Sequence, residues 1–235
     1  MISVCLATYN GEKYIVEQIS SILSQLTEHD EVIISDDGSS DRTIEVINGI
    51  DDSRIKLFIN GSERGYSRNF ENAIIHSKGD VIFLSDQDDV WVDGKVARML
   101  QQLEKAPMVI SDAIIVDEEL AVINESHFAL RGVKKGFLIN FIKTRYIGAC
   151  MAFRREILKK ALPFPKNTKL CAYDYWLTLI AEFYYTVELV NEGLILYRRH
   201  GLNASTGGET SNIPISRRLL TRVYCFIQLM KRFIK

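Results

Sequence analysis

At 235 residues, 47% hydrophobic and 25% charged, the chain can bury one large core and has ordinary globular usage, with one catalytic domain as the default. No apolar stretch reaches the roughly 18 residues of a membrane-spanning helix, and the opening residues lack a basic leader, so neither an integral membrane protein nor a signal peptide is expected. The formal net charge of −1 conceals an asymmetry: residues 1–125 carry 10 Lys+Arg against 24 Asp+Glu, and residues 126–235 carry 19 against 6. An acidic half suits metal chelation and a basic half suits phosphate-bearing ligands or an anionic membrane face; nucleic acid is not an expected partner.

Residues 2–7 read as a buried strand and residues 14–26 as an amphipathic helix with Ile15, Ile19, Ile22, Leu23 and Leu26 on one face. Residues 32–35 form a second strand; after Asp36-Asp37-Gly38, the Ser39-Ser40-Asp41 cluster caps a helix over 43–47. A third strand over 55–59 and a helix over 68–77 stopped at Gly79 precede an apolar strand over 80–84 that runs into Ser85-Asp86-Gln87-Asp88-Asp89. This alternation predicts an α/β fold with a mixed, mostly parallel sheet flanked by helices, which binds ligands beyond the carboxyl ends of its strands. Farther on, the pattern predicts a helix over 95–105, short strands over 108–110 and 114–116, and a helix or flexible segment over 134–144. A strand over 150–153, a helix over 173–183 and two late strands over 187–190 and 194–197 follow. Residues 207–212 have linker composition, which divides the chain into a domain over 1–210 and a tail over 211–235. Cys5, Cys150, Cys171 and Cys225 are widely spaced, without a C-x-x-C pair, and read as reduced core residues of a cytoplasmic protein.

Three carboxylates in Asp86-Gln87-Asp88-Asp89 at one strand end repel one another unless a cation or hydrogen-bond donors compensate. Mg²⁺ or Mn²⁺ is the expected answer, since these ions take one or two protein carboxylates and complete their shells with substrate phosphates. Asp36-Asp37-Gly38 follows the second strand and so lies near Thr8-Tyr9-Asn10-Gly11-Glu12. There a carboxylate can accept the ring N–H of a uracil or thymine, Tyr9 can pack on base or ribose, and Thr8 and Asn10 can supply hydrogen bonds, with Glu12 completing the loop. Ordinary turn chemistry explains either motif alone. His29, His76 and His127 are expected at the surface.

In order and spacing, these motifs resemble the family-two glycosyltransferases. The matching elements are Ser3-Val4-Cys5-Leu6-Ala7-Thr8-Tyr9-Asn10, Ser20-Ser21-Ile22-Leu23-Ser24-Gln25, Ile33-Ile34-Ser35-Asp36-Asp37-Gly38-Ser39-Ser40-Asp41, Arg68-Asn69-Phe70, Gly79-Asp80 through Asp89, and Tyr197-Arg198-Arg199-His200, over about residues 1–205. The resemblance implies a GT-A (Rossmann-like) fold and inverting transfer of a sugar from a nucleotide diphosphate donor to a lipid-linked saccharide of a bacterial surface polysaccharide. By it Asp37 is the base-recognising aspartate, Asp86 and Asp88 form the D-x-D signature that meets the nucleotide and its metal, and His200 can complete the metal site. Arg68 would support the donor site or form a structural salt bridge. The late acidic pair of the family reads Tyr173-Asp174 here: the first acid is replaced, and Asp174 remains as general base. The forms Asp86-Gln87-Asp88-Asp89-Val90-Trp91 and Arg198-Arg199-His200-Gly201 are similar to rhamnosyltransferase-like members, which puts dTDP-rhamnose first and a UDP-hexose second as donor. A sugar nucleotidyltransferase would need a glycine-rich first loop that Thr8-Tyr9-Asn10-Gly11 does not provide, and a degenerate donor-binding scaffold is suggested only by Tyr173.

Residues 216–235 hold Arg217, Arg218, Arg222, Lys231, Arg232 and Lys235, no acid, and a broad apolar helical face. Such a helix is expected to lie in a membrane interface, on the inner face of the cell membrane, or to dock on the catalytic core or on a second copy of the chain.

Overall fold

The computed structural model describes residues 1–201 and 214–233. In chain order the elements are β1 (Ile2–Thr8), α1 (Ile15–Leu23), β2 (Glu31–Asp36), α2 (Thr43–Asn48), β3 (Ile55–Ile59), α3 (Tyr66–His76), β4 (Val81–Asp86), β5 (Val90–Trp91) and α4 (Lys95–Leu103). They continue with β6 (Met108–Val116), β7 (Val122–Asn124), α5 (His127–Arg131), α6 (Phe137–Ile142), β8 (Met151–Arg154), α7 (Leu158–Ala161), α8 (Tyr173–Tyr184), β9 (Val187–Arg198) and α9 (Ile215–Phe233). The expected linker over 207–212 lies outside the described residues.

A nine-stranded sheet runs in the order β3-β2-β1-β4-β8-β6-β9-β5, with β7 beside β6. Strands β3, β2, β1 and β4 are mutually parallel, β8 is antiparallel to both β4 and β6, and β6 pairs in parallel with β9. Every residue of β1 and β2 is buried, as expected of parallel strands covered on both faces, and this is why they read as nearly continuous apolar runs. Helix α3 lies over β1 and β2 and against α8, while α4 covers β6, β8 and β9. Register then sets the site: Thr8 pairs with Asp36, and Ala7 with Asp86, so three strands end side by side. All four cysteines are buried and unbridged.

The late strands depart from the sequence expectation. Met108–Val116 is one strand, and so is Val187–Arg198, although polar Ser111-Asp112 and Asn191-Glu192-Gly193 look like breaks. Both run on because they pair with each other along their length and absorb the polar residues as register shifts around Asp112. Gly193 permits this approach, since a Cβ there would lie 2.5 Å from Ile114 Cγ1.

Helix α9 is not a detached tail. Cys225 and Leu229 are fully buried, Tyr184 Oη donates to Leu229 O (3.1 Å), and Lys160 Nζ donates to Arg232 O (2.9 Å). Arg222 Nε donates to Ile142 O at the end of α6 (3.0 Å), and its guanidinium lies 5.2 Å from the Tyr175 ring on α8. One face is therefore docked on the core, while Leu219, Leu220, Val223, Phe226 and Ile227 stay exposed. A docked α9 makes Leu229→Ala cost about 2–5 kcal/mol in urea unfolding, the range for emptying a core leucine site; an unchanged midpoint would show that α9 adds nothing to the core.

Candidate active site

The strand ends are stitched together before any ligand enters. Asn10, in the left-handed region at φ 49°, accepts from Ser40 N through Oδ1 (2.8 Å), and Glu12 accepts from Arg42 N through Oε2 (2.8 Å). These two side chains tie the first loop to the second. Gln87 ties it to the acidic loop: its Oε1 accepts from Thr8 Oγ1 (2.6 Å) and Tyr9 N (2.7 Å), and its Nε2 donates to Tyr9 O (3.0 Å). Asp36 is turned inward, accepting from the backbone of Gly38 and Ser39. Its neighbour Asp37 faces the cleft while Asn60 Nδ2 and Gly65 N each donate to it at 2.7 Å.

Beyond these ends lies a cavity of about 920 Å³, and its walls include Thr8, Tyr9, Asp37, Asp86, Asp88 and Asp174. These sequence-predicted residues come from four separate segments. Asn10, Glu12, Arg68 and His200 are not among the lining residues. Arg68 forms a structural salt bridge with Glu71 and donates through Nη2 to Pro165 O (3.1 Å) and Lys166 O (2.9 Å). His200 stands behind Asp88, with Nε2 2.8 Å from Asp88 Oδ2 and its ring centroid 5.1 Å from that of Tyr14.

Electrostatically the floor is overcrowded with acid. Enclosure, and then the Asp88 and Asp174 carboxylates, push Asp86 up to about 8. Burial drives Asp174 above the usual carboxylate range as well, although Tyr175 N donates to its Oδ1 at the first turn of α8 (2.7 Å). Asp89 is likewise raised well above the usual carboxylate range by burial, then by Asp88 and Asp86, while Arg198 N donates to its Oδ1 (3.0 Å). Two cations frame the loop from behind. Arg198 donates to Asp88 O (2.8 Å) and pairs with Glu17, and the fully buried Lys95, lowered to about 8 by burial, donates to Ala149 O (3.3 Å).

Among the described residues no set of three His, Cys, Asp or Glu side chains forms a ready metal cage, so the expected trio of Asp86, Asp88 and His200 is not assembled as such. Two of its members, Asp88 and His200, meet each other directly. Carboxylate oxygens still suit Mn²⁺ or Mg²⁺, and the repulsion from Asp88 and Asp174 that adds to burial in raising Asp86 is a charge imbalance that a cation relieves. Such ions need few protein ligands where a substrate diphosphate fills the shell.

Other lining residues were given no place in the site from the sequence. Asn69 donates to Thr8 O (3.0 Å) and leaves its buried Oδ1 without a protein partner on the cavity wall. Tyr173, in the place of an acid, is buried between Phe70 (4.1 Å, stacked) and Tyr66 (6.0 Å, edge-on), and a Cβ at Gly148 would meet its hydroxyl at 2.0 Å. A neutral phenol here adds no charge to a floor that already carries too much. His127 corrects the surface expectation: α5 buries it, its Nε2 lies 2.8 Å from Arg145 O, and desolvation lowers its pKa. With Arg131, Lys143 and Arg145 it lines the same cavity as the acids. No local pattern marks Arg131, Lys143 and Arg145 as a group, because tertiary contacts bring them together.

Comparison with known proteins agrees with this geometry. The model of Glycosyl transferase family 2 matches residues 3–162. Over 111 residues the chain is 34% identical to Escherichia coli WfaP, a UDP-Glc:alpha-D-GlcNAc-diphosphoundecaprenol beta-1,3-glucosyltransferase, covering 47% of this chain and 44% of WfaP. It is 25% identical over 219 residues to the GalNAc(5)-diNAcBac-PP-undecaprenol beta-1,3-glucosyltransferase of Campylobacter jejuni, covering 90% and 69%. The chain thus spans about half to two thirds of the length of such curated relatives. Among solved structures, mannosyltransferase PcManGT from Pyrobaculum calidifontis in complex with GDP-Man and Mn²⁺ superposes with a TM-score of 0.63 at 19% identity, over 98% of this chain and 64% of that one. This likeness establishes the GT-A fold. With the family model running through more than half of it, the chain belongs to glycosyl transferase family 2.

Proposed function

We propose that the protein transfers a hexose from a nucleoside diphosphate donor to a hydroxyl of a lipid-linked saccharide, inverting the anomeric centre, in surface polysaccharide synthesis. The observation that carries this reading is the convergence of Asp37, Asp86, Asp88 and Asp174 on one cavity. UDP-glucose moves ahead of dTDP-rhamnose as first donor, because the two relatives above are named glucosyltransferases and one is named for UDP-Glc. An α-linked donor that yields a β linkage implies inversion.

In this mechanism Asp37 accepts from the ring N–H of the base and the half-exposed Tyr9 ring stacks on base or ribose. Asp174 accepts the proton of the acceptor hydroxyl as its oxygen forms a bond to the anomeric carbon, and the bond to the donor diphosphate breaks on the opposite side. Asp88 and His200, with Asp86 beside them, are the residues that would hold Mn²⁺ or Mg²⁺, which supplies positive charge to the leaving diphosphate when bound. Arg198 keeps the Asp88 backbone in place throughout.

The exposed apolar side chains of α9 and the exposed Leu138, Ile139 and Ile142 of α6 form one band, joined by the bond from Arg222 to Ile142 O. Among the described residues no helix is long and apolar enough to cross a membrane. In this reading the band rests on the inner membrane face, with Arg217 and Lys231 supplying basic charge toward anionic lipid.

Asp174→Asn retains UDP-glucose binding by calorimetry and lowers turnover by about 10²-fold or more; near-normal turnover places the base elsewhere. The wild-type pH–rate profile checks the same residue. Asp174 works as a carboxylate and its pKa is raised, so activity falls as pH drops through a value above the ordinary aspartate range; an acid limb near about 4 contradicts its enclosure. Asp88→Ala abolishes the dependence of donor affinity on Mn²⁺ in a titration, and an unaltered metal response removes Asp88 from the site. Replacing Leu219, Val223 and Ile227 together by serine weakens sedimentation with anionic vesicles severalfold. Unchanged vesicle binding overturns the membrane assignment, and a dimer that the same changes dissociate assigns the band to a second copy.

A further inference from the structure

The catalytic reading uses the acidic floor and the nucleotide loops but leaves the basic wall without a task. Arg131 closes α5, and Lys143 and Arg145 follow α6; all three line the same cavity as Asp86, Asp88 and Asp174. The wall is built, not a chance gathering of surface charge. Arg145 Nη1 donates to Gly132 O (2.7 Å), and Arg145 O lies 2.8 Å from His127 Nε2, so the segment after α6 is fastened to α5 from both sides. A second anchor holds α6: Glu182 of α8 accepts from Gly136 N (3.0 Å), Asn140 Nδ2 (3.0 Å) and Tyr146 Oη (2.7 Å). The Lys143 side chain is left exposed at the rim, with no role in this framework.

Cations on a cavity wall attract an anion, and the position of this wall says which one. The nucleotide end of the cavity lies at Thr8, Tyr9 and Asp37, with Arg64 beside Gly38, whose added Cβ would meet Arg64 Nη2 at 2.7 Å. That end has its own cation. Lys143, by contrast, directly follows Ile142, which is 69% exposed, and Leu138 on the same short helix is 71% exposed. A ligand that meets Arg131, Lys143 and Arg145 therefore leaves the cavity over an apolar surface. An anionic group joined to a hydrocarbon tail on one side and to a sugar reaching Asp174 on the other has this shape.

We infer that Arg131, Lys143 and Arg145 bind the diphosphate of a polyprenyl diphosphate-linked saccharide acceptor, with the prenyl chain leaving along α6 and α9; this rests on the transferase reading above. Guanidinium and ammonium donors suit phosphate oxygens, and charge-assisted hydrogen bonds of this kind are roughly twice as strong as neutral ones.

The test measures binding apart from turnover. Calorimetry on the full chain would compare a farnesyl diphosphate-linked N-acetylglucosamine, the matching phosphate-free farnesyl glycoside, inorganic diphosphate and UDP-glucose, using wild type, Lys143→Glu and Arg131→Gln of verified fold by circular dichroism. The lipid diphosphate should bind wild type more tightly than either the glycoside or inorganic diphosphate, and each substitution should raise its Kd about tenfold or more. Lys143→Glu carries the test if Arg131→Gln fails to fold, since its side chain is exposed. Three results overturn the inference: Kd for the lipid diphosphate unchanged in Lys143→Glu, equal affinity for inorganic diphosphate, or a loss confined to UDP-glucose. If wild type binds the lipid diphosphate in this manner but transfers no sugar, the transferase reading fails while the diphosphate site stands.

Discussion

The crowding of Asp86, Asp88, Asp89 and Asp174 at one end of the sheet is the constraint on which the rest of the site depends. Two unit charges about 4 Å apart in a protein-like medium repel by about 4 kcal/mol, so a group of carboxylates persists only where something opposes that repulsion. Here the protein opposes it in several ways. Asp89 is buried with its pKa raised, Arg198 N donates to it, and the Arg198 side chain holds the Asp88 backbone carbonyl. His200 meets Asp88 directly, and Lys95 places a buried cation behind the loop. What is left uncompensated faces the cavity at Asp86 and Asp174, where the proposed ligand and cation chemistry would take place.

The two walls of the cavity are built by different means, which suits two different ligands. On the proposed donor side, backbone register brings Thr8, Asp36 and Asp86 into line, and short side-chain bonds from Gln87, Asn10 and Glu12 lock the loops. On the proposed acceptor side there is little regular structure: a five-residue α5, a six-residue α6 and the segment after it are held by the Glu182 and Arg145 bonds. Rigid nucleotide loops can serve many relatives, while a wall of short pieces can change without disturbing the sheet.

Those means of construction also explain what the sequence made legible. β1, β2 and β4 are apolar runs buried on both faces, so their positions and the placement of Thr8, Tyr9, Asp37, Asp86 and Asp88 at their ends followed from pattern alone. Asp174 was reachable only through the resemblance, since one acid at a helix start has no pattern of its own. β6 and β9 were each split in two because Ser111-Asp112 and Glu192-Gly193 mimic turns, and only their mutual pairing carries the strands through. Asn10 and Glu12 stood in the right loop, but their oxygens are engaged by the backbone of the next one. Arg68 was ambiguous until its bonds to Glu71 and Pro165 O were seen. The basic wall left no local trace, because Gly132 and Arg145, or Tyr146 and Glu182, are neighbours in space alone.

The central claim is that these carboxylates serve an inverting sugar transfer, and the anomeric configuration of the product tests it most directly. Wild-type protein, UDP-glucose, Mn²⁺ and a polyprenyl diphosphate-linked N-acetylglucosamine would be followed by proton NMR, reading UDP release together with the coupling constant of the new anomeric proton. The account predicts UDP release matched by a β-glucosyl product, with Asp174 as base and no covalent sugar on the enzyme. A retained α configuration would contradict it.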